Sequence, residues 1–196
     1  MTKERDGKLL YHLTSIDNLE SIFQKGLQSR SALSDGVFSD VADGEIIASR
    51  KQHGLEDFVP FHFFAKSPFD YGVQRSRPEQ QFVLLTVRRS TAKANNWKVV
   101  PRHPLAQAGY EILDYIPGFE AIDWALIAQR DYDNRECKVA CMAECLSPNT
   151  VLADKFCRIF VKNHADHKTV SELAKQHAVS CHINLGPNMF AGDADV

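Results

Sequence analysis

Apolar positions in the first part of the chain change from a strand pattern to a helix pattern. Residues 9–13 predict a first strand, and four apolar residues at helical spacing then predict a short amphipathic helix over 16–25. Those four residues are Leu19, Ile22, Phe23 and Leu27. Short polar side chains at 14–18 offer oxygen acceptors for the first turn. Gly26 is suited to end the helix because glycine tolerates a left-handed conformation.

Two further stretches have a clear strand pattern. Residues 59–64 alternate with a period of two before Pro68 interrupts them, and a helix is expected to start within 69–73. The run FVLLTV at 82–87 is apolar throughout, which predicts a central strand covered on both faces. The other predicted elements are a helix over 122–129, a strand or helix–strand junction over 138–146, a strand over 156–161, a helix over 169–178 and a short strand over 179–183.

Two long stretches lack this periodicity. Residues 28–45 are rich in Ser, Asp and Gly. Long ordered loops are uncommon unless they have a function, so this stretch is a candidate flap over a ligand. Residues 46–51 predict the start or end of a helix, with Arg50 at its polar end. Residues 104–120 have sparse periodicity and two prolines.

Two places combine chemically useful side chains with the ends of predicted elements. His12 and Thr14 lie on one side of a strand that runs into a helix N-terminus, which suits a polar or phosphate-bearing ligand. The alternative is an ordinary strand end with a helix cap. Glu144 is the one acid in an otherwise uncharged run, and a buried carboxylate there must be paired, hydrogen-bonded or used. The alternative is a glutamate at a strand edge facing water.

The sequence resembles the DarT family, ADP-ribosyltransferase toxins that use NAD to modify bases of single-stranded DNA. The stretch 11–28, with its His-x-Thr, is similar to the opening of that family. The family pattern Val-Pro-Phe-Tyr-Phe, followed by Pro-Met-Leu-Tyr, is matched at Val59, Pro60, Phe61, Phe63, Pro68 and Tyr71. His62 replaces the usual Tyr, and Phe69 with Asp70 replaces Met-Leu.

A third match follows a charged turn, where the family has an Ala-Glu that enters a strand. It is carried by Ala143, Glu144 and Leu146, although Cys145 replaces the usual aromatic residue. The resemblance covers residues 9–190 and implies a single α+β domain over 1–196. The implied ADP-ribosyltransferase-like fold has two packed, mostly antiparallel sheets around an NAD cleft, with peripheral helices. The chain has no Gly-x-Gly-x-x-Gly fingerprint, so NAD binding through a Rossmann domain is not expected.

The resemblance also implies roles for individual residues. Glu144 is the implied catalytic carboxylate, which stabilises positive charge on the ribose as nicotinamide leaves. Arg50 is the second implied catalytic residue. Because a guanidinium stays protonated, we expect it to bind phosphate or stabilise the acceptor base, with Lys51 as the neighbouring candidate. The residues expected to bind the co-substrate NAD are His12, Leu13, Thr14, Arg50 and Tyr71. Tyr71 is expected to stack on the nicotinamide or, alternatively, to belong to the core.

The implied activity is transfer of ADP-ribose from NAD to thymine or guanine of single-stranded DNA, with release of nicotinamide. The resemblance implies a toxin of a toxin–antitoxin system whose partner is a macrodomain antitoxin. Two alternatives remain at this stage. One is a transferase of the same fold acting on RNA, protein or a small molecule. The other is a nucleic-acid-binding module without catalytic activity.

The distribution of charge favours a local polyanion-binding surface over a generally basic protein. The net charge is −2, but residues 66–103 contain eight Lys and Arg and only two acids. This segment, with Phe69, Tyr71 and Trp97, is expected to track a nucleic acid backbone and stack bases. The alternative is a solvated loop and strand face.

The remaining composition predicts a cytoplasmic monomer without metal. The five cysteines fit neither a disulfide framework nor a common zinc spacing, and Cys141 and Cys145 are expected to be buried as small apolar residues. His164 and His167 could pair on a metal, but they follow a predicted strand in a polar loop. No apolar run approaches the roughly 20 residues of a membrane helix, and the polar N-terminal residues lack the apolar region of a signal peptide.

Overall fold

The computed structural model of the chain describes residues 2–33, 51, 54–103 and 111–192. Strands within these ranges form one sheet in the order β5-β4-β6-β2-β1-β3-β7-β8. The strands are β1 (Leu9–Ser15), β2 (Val59–His62), β3 (Phe82–Arg88), β4 (Lys98–Val100), β5 (Leu113–Asp114), β6 (Glu144–Ser147), β7 (Arg158–Val161) and β8 (His182–Leu185). All neighbouring pairs are antiparallel except β7 and β8, which are parallel.

Short helices cover the sheet, and four of those described have polar caps that the sequence supplies, among them Asp123 at the start of the helix Trp124–Gln129. The described helices are α1 (Leu19–Lys25), α2 (Pro68–Ser76), α3 (Arg89–Ala94), α4 (Tyr115–Ala121), α5 (Trp124–Gln129), α6 (Arg135–Ala140) and α7 (His164–Gln176). Asn134 caps α6 and Asn163 caps α7 through their side-chain oxygens. Ser67 and Asp70 form a reciprocal capping box at the start of α2. No helix in the described ranges is long and apolar enough to cross a membrane.

Both faces of the sheet are covered, as the apolar run at 82–87 predicts. Val83, Leu85 and Val87 face one hydrophobic core, to which α1 and α7 contribute. Phe82 and Leu84 face the other, smaller core beneath α2. The three residues of β3 on the first face are fully buried, so this strand forms the centre of the molecule.

The sheet is nearly interrupted between β1 and β2, a boundary that we call the β1–β2 seam. β1 makes seven registered pairs with β3 but only one with β2, Tyr11 with His62. Continuing that register would set Leu13 opposite Pro60, which has no N–H to donate. The Pro60 carbonyl instead accepts a hydrogen bond from His12 Nδ1 at 2.7 Å. The ladder therefore ends after one pair because proline cannot continue it.

A buried arginine joins the other end of the seam. Arg89 is 6% exposed and donates to the carbonyls of Leu9 and Phe63, one on each side of the boundary, and to that of Arg5. Its guanidinium also packs over the aromatic rings of Phe63, Phe119 and Trp124. Side-chain contacts thus hold together two half-sheets that share little main-chain pairing.

The predicted α+β class is confirmed, with one difference in the sheets. The two sheets expected from the resemblance are joined into one eight-stranded sheet through the single pair at the seam. The helix–strand junction predicted over 138–146 is confirmed as α6 followed by β6.

One local prediction was wrong. His164 and His167 lie in α7 rather than in a polar loop, because Asn163 caps the helix at that point. Within the segment of sparse periodicity, α4 begins at Tyr115. The candidate flap is described only as far as residue 33, with a 3-10 turn at Arg30–Ala32, and the rest of it lies outside the described residues.

Candidate active site

Glu144 occupies a buried position at the start of β6, between two neighbouring strands. It is the registered partner of His62 on β2 and of Val100 on β4. The residue is only 6% exposed. Glu144 is therefore not a glutamate at a strand edge facing water. A carboxylate in this position has lost most of its hydration.

The segment before Glu144 fixes its position by apolar packing. Asn134 accepts from the N–H groups of Glu136 and Cys137, which starts α6. Cys137, Cys141 and Cys145 are buried and free, so they anchor the helix and the following strand as small apolar residues. This agrees with the expectation for Cys141 and Cys145. The helix–strand junction consequently presents Glu144 from a rigid support.

His62 connects Glu144 to α2. Its Nδ1 lies 3.3 Å from the carbonyl of Ala143, the residue before Glu144, so Nδ1–H is the donor. Its ring lies 5.8 Å from that of Phe69. Asp70 follows Phe69 on α2. Burial raises the pKa of the Asp70 carboxyl group, and the charge of His62 partly offsets this rise. Because Tyr11, His62 and Glu144 are registered across three strands, their side chains share one face of the sheet.

On β1, the main chain rather than the side chains is directed toward the seam. Lys8 and Ile16 bond through their main chain to the β3 side, so the main-chain groups of odd-numbered residues point toward β2. The N–H and C=O of Leu13 therefore face Pro60 across the seam. The Leu13 and Thr14 side chains are buried, and the Thr14 hydroxyl accepts from the Asn18 amide at 3.1 Å.

The predicted site residues are thus only partly brought together. His12 and Thr14 are out of phase with Glu144, so on a continuous sheet their side chains would face the opposite side. β1 and β6 are separated by β2 alone, a distance of about 10 Å from the usual strand spacing. Arg50 lies outside the described residues, and Lys51 is exposed.

Tyr71 lies away from the row formed by Tyr11, His62 and Glu144. It is on α2, where its ring meets that of Tyr132 at 6.0 Å and the Nζ of Lys66 lies 5.2 Å from its centre. These contacts place it in a groove between α2 and the segment at 130–138. Sequence reasoning missed the other wall of this groove, although the charged turn there contains both Tyr132 and Arg130.

Two members of the predicted basic segment are unavailable to a ligand. Trp97 is 6% exposed and packs against Phe61, with ring centres 5.4 Å apart. Arg89 is buried at the seam. The prediction that Trp97 stacks bases was therefore wrong, because the strand that follows it turns the indole into the core. Across the described ranges, no group of three His, Cys, Asp or Glu side chains could hold a metal ion.

Comparison with known proteins defines the class of this fold and then its family. The structure superposes on Thermus sp. 2.9 DarT in complex with ADP-ribosylated ssDNA with a TM-score of 0.82, at 21% identity, over 95% of this chain and 97% of the other. The complex of the same protein with NAD+ gives 0.77, at 20% identity and 95% and 98% coverage. The fold is therefore that of the ADP-ribosyltransferase class.

The chain belongs to the DarT family, whose sequence model is described as "ssDNA thymidine ADP-ribosyltransferase, DarT" and matches residues 11–191. A relative from Thermus aquaticus, named DNA ADP-ribosyl transferase, is 32% identical over 81 residues, which are 37% of this chain and 36% of that protein. Thermosipho africanus DarTG in complex with ADP-ribose matches with a TM-score of 0.74 at 23% identity, over 93% of this chain and 51% of the other. The resemblance seen in the sequence is confirmed.

Proposed function

We propose that this protein is an NAD-dependent mono-ADP-ribosyltransferase that modifies a base of single-stranded DNA and releases nicotinamide. The observation that carries the proposal is the position of Glu144, a buried carboxylate on β6 one strand from the seam. The family match over residues 11–191 supports the same activity. Thymine and guanine are the candidate acceptors, and the family description favours thymine.

The seam suits the nicotinamide end of NAD. Leu13 directs one N–H and one C=O toward Pro60, which cannot donate to it. A carboxamide carries one acceptor oxygen and an NH2 donor, so it can satisfy both main-chain groups. His12, half-buried and fixed to the Pro60 carbonyl, would border the ring or its ribose. Because the Thr14 hydroxyl is already bonded to Asn18, we assign Thr14 to positioning the strand end.

Glu144 would act on the ribose. In the transfer, the bond between C1′ and the nicotinamide nitrogen breaks, and its electron pair leaves with nicotinamide. The positive charge that develops on the sugar is stabilised by the carboxylate, whose effect is strong in a site with little water. The acceptor base then attacks C1′ and loses its proton. Removing one such electrostatic contact typically costs about 3 kcal/mol of transition-state stabilisation.

The resemblance also implies roles for Arg50 and Tyr71. Arg50 would bind the NAD phosphates or stabilise the base as its proton leaves, in keeping with a guanidinium that stays charged. Tyr71 as a nicotinamide-stacking residue remains a prediction, and its contacts with Tyr132 and Lys66 favour a different ligand. A macrodomain antitoxin that removes the ADP-ribose, and a role as a toxin, are proposed on the family alone.

The proposal is tested by incubating the protein with NAD and separate single-stranded DNA, RNA and protein pools, followed by mass spectrometry. We expect one added ADP-ribose on a DNA base, and loss of at least a hundredfold in rate for Glu144→Gln. Glu172→Gln, an exposed glutamate on α7, is the matched control and should keep full activity. Modification of RNA or protein alone would support the alternative acceptors. Undiminished transfer by Glu144→Gln would remove the catalytic assignment.

A further inference from the structure

A groove of about 700 Å³ lies between α2 and the segment at 130–138. On one wall it has Lys66, Tyr71 and Arg75, which precede or belong to α2. The other wall has Arg130 and Tyr132 in the turn before α6, and Lys138 on α6 itself. Two segments that are far apart in the sequence therefore form one concave surface.

The groove is strongly basic although the protein is not. Its described lining includes four cationic side chains, those of Lys66, Arg75, Arg130 and Lys138, and one carboxylate, that of Asp133. The net charge of the whole protein is −2. Arg75 and Lys138 are exposed on opposite walls. A local field of this sign attracts a phosphate backbone without making the protein generally basic.

The same groove has an aromatic surface held in place by polar contacts. The Tyr132 hydroxyl donates to the Lys66 carbonyl at 2.6 Å, and the Tyr71 and Tyr132 rings meet edge to face. Both rings are half-buried. Burial raises the pKa of Tyr132 to about 12, so its hydroxyl remains a donor at neutral pH. Aromatic rings fixed within a basic groove are the combination that binds unpaired bases.

Arg130 builds the base of the groove. It has a positive φ of 52°, donates to the Ala65 carbonyl, pairs with Glu4 and packs over the Phe64 ring at 3.8 Å. Its buried Nε has no hydrogen-bond partner within the described structure. Such a buried donor is costly unless something else pairs with it.

Each wall of the groove belongs to an element that is connected to the row containing Glu144. Asp70, adjacent to Tyr71 on α2, is close enough to His62 for the two charges to interact, and His62 is the registered partner of Glu144. On the other wall, Lys138 on α6 precedes Glu144 by six residues at the helix–strand junction. The groove and the proposed catalytic carboxylate are therefore supported by the same two parts of the fold, α2 and the junction of α6 with β6.

We infer that this groove binds the backbone phosphates and an unstacked base of the single-stranded polynucleotide beside the nucleotide that reacts. The inference rests on the proposed function for the identity of the polymer, single-stranded DNA. It adds the surface that binds this polymer. A neighbouring cavity of about 460 Å³ shares Arg75 but contains Arg77 and Lys162 together with Glu79 and Asp166. Its charges nearly cancel, so it is the weaker candidate for the path of the strand.

The diphosphate of NAD has the same chemistry as a nucleic acid backbone, so the experiment must separate the two. Binding of a fluorescein-labelled single-stranded DNA of about 20 nucleotides is measured by anisotropy without NAD, over a range of salt concentrations. Arg75→Glu and Lys138→Glu should each weaken binding on the order of tenfold and reduce the salt slope by about 0.7 for each phosphate that is no longer neutralised. The KM for NAD in DNA-independent hydrolysis should not change.

Lys175→Glu is the matched control. This exposed lysine is on α7, which does not line the groove, and its variant should bind DNA like the native protein. Unchanged DNA affinity in Arg75→Glu and Lys138→Glu would overturn the inference. So would a raised KM for NAD, or loss of affinity in Lys162→Glu but not in Lys138→Glu. If the groove variants lose DNA binding while the native protein transfers no ADP-ribose, the groove stands and the proposed function fails.

Discussion

His62 and Glu144 are registered partners on β2 and β6, and the His62 imidazole donates to the carbonyl of the residue just before Glu144. The family pattern has a tyrosine where this chain has histidine. A group that can carry positive charge therefore lies between two carboxylates, Asp70 above it on α2 and Glu144 beside it. Removing that charge should change the pKa of Asp70 by a measurable amount.

The first prediction concerns the pKa of Asp70. Burial raises it, and the charge of His62 is the largest effect that opposes the rise. His62→Gln keeps an N–H donor for the Ala143 carbonyl but removes the charge, so the pKa of Asp70 should rise further. Carboxyl carbon NMR over a pH titration measures this. His177→Gln, on the opposite face of the sheet, is the control. An unchanged or lowered value in His62→Gln would contradict the prediction.

The second prediction concerns stability as a function of pH. Because the pKa of Asp70 is above its ordinary value of 3.8 in the folded state, the folded protein binds the proton more tightly than the unfolded chain. The contribution of Asp70 to stability is thus largest at low pH. It falls as pH rises from 3.8 through the higher folded value. Asp70→Asn has no carboxyl group to deprotonate, so it does not lose stability in this way. The stability of this variant relative to the native protein should therefore increase with pH over that interval.

Urea unfolding on both sides of that interval measures the effect. Asp70→Ala serves as the comparison, since it also removes the acceptor for the Ser67 N–H in the capping box. We expect it to cost about 1 kcal/mol more than Asp70→Asn. A relative stability of Asp70→Asn that does not vary with pH would show that Asp70 is not destabilised by burial.

The third prediction concerns Arg89 at the seam. Arg89→Ala leaves the carbonyls of Leu9, Phe63 and Arg5 without this donor and should cost about 3 kcal/mol or more. Arg89→Lys keeps the charge but not the planar fork of donors, so it should restore only part of the loss. Arg88→Ala, the exposed neighbour, should change stability by less than about 0.5 kcal/mol. Equal stabilities for the two alanine variants would disprove a role for Arg89 at the seam.

The fourth prediction concerns the thiols. Cys137, Cys141 and Cys145 are buried, whereas Cys157 and Cys181 are half-buried. Burial raises the pKa of Cys141 to about 12 and that of Cys181 to about 11, and it also raises that of Cys145. Alkylation at neutral pH should therefore be slow in the folded protein and confined to Cys157 and Cys181, and all five thiols should react in denaturant. Mass spectrometry of the alkylated peptides decides this, and rapid labelling of Cys141 would contradict it.

Local patterns in the sequence predict only part of the site. Glu144 is conspicuous as a lone acid in an apolar run, because a carboxylate is costly to bury unless the protein uses it, and the structure buries it. The cap of α7 is also encoded locally, in Asn163 followed by Asp166, although the apolar periodicity predicts a helix only from residue 169. The residues between this cap and position 169 are mostly polar, so apolar periodicity alone does not reveal the first turn of α7.

Other features depend on contacts between distant segments. The phase difference between His12 and Glu144 follows from strand register across β2, which no local pattern specifies. Arg89 and Trp97 resemble surface residues in the sequence because composition does not reveal which side of an element faces the core. The groove combines two segments about 60 residues apart, so only the fold could bring Tyr71 and Tyr132 together.

Pro60 on β2 determines the local structure of the β1–β2 seam. Since Pro60 has no amide hydrogen, thermal motion cannot complete the ladder opposite Leu13 while the register is kept. The break in strand pairing is thereby determined by the covalent structure and is present in the protein without any ligand. If the proposed nicotinamide binding is right, the site is preorganised, and binding needs little further ordering of the main chain at Leu13.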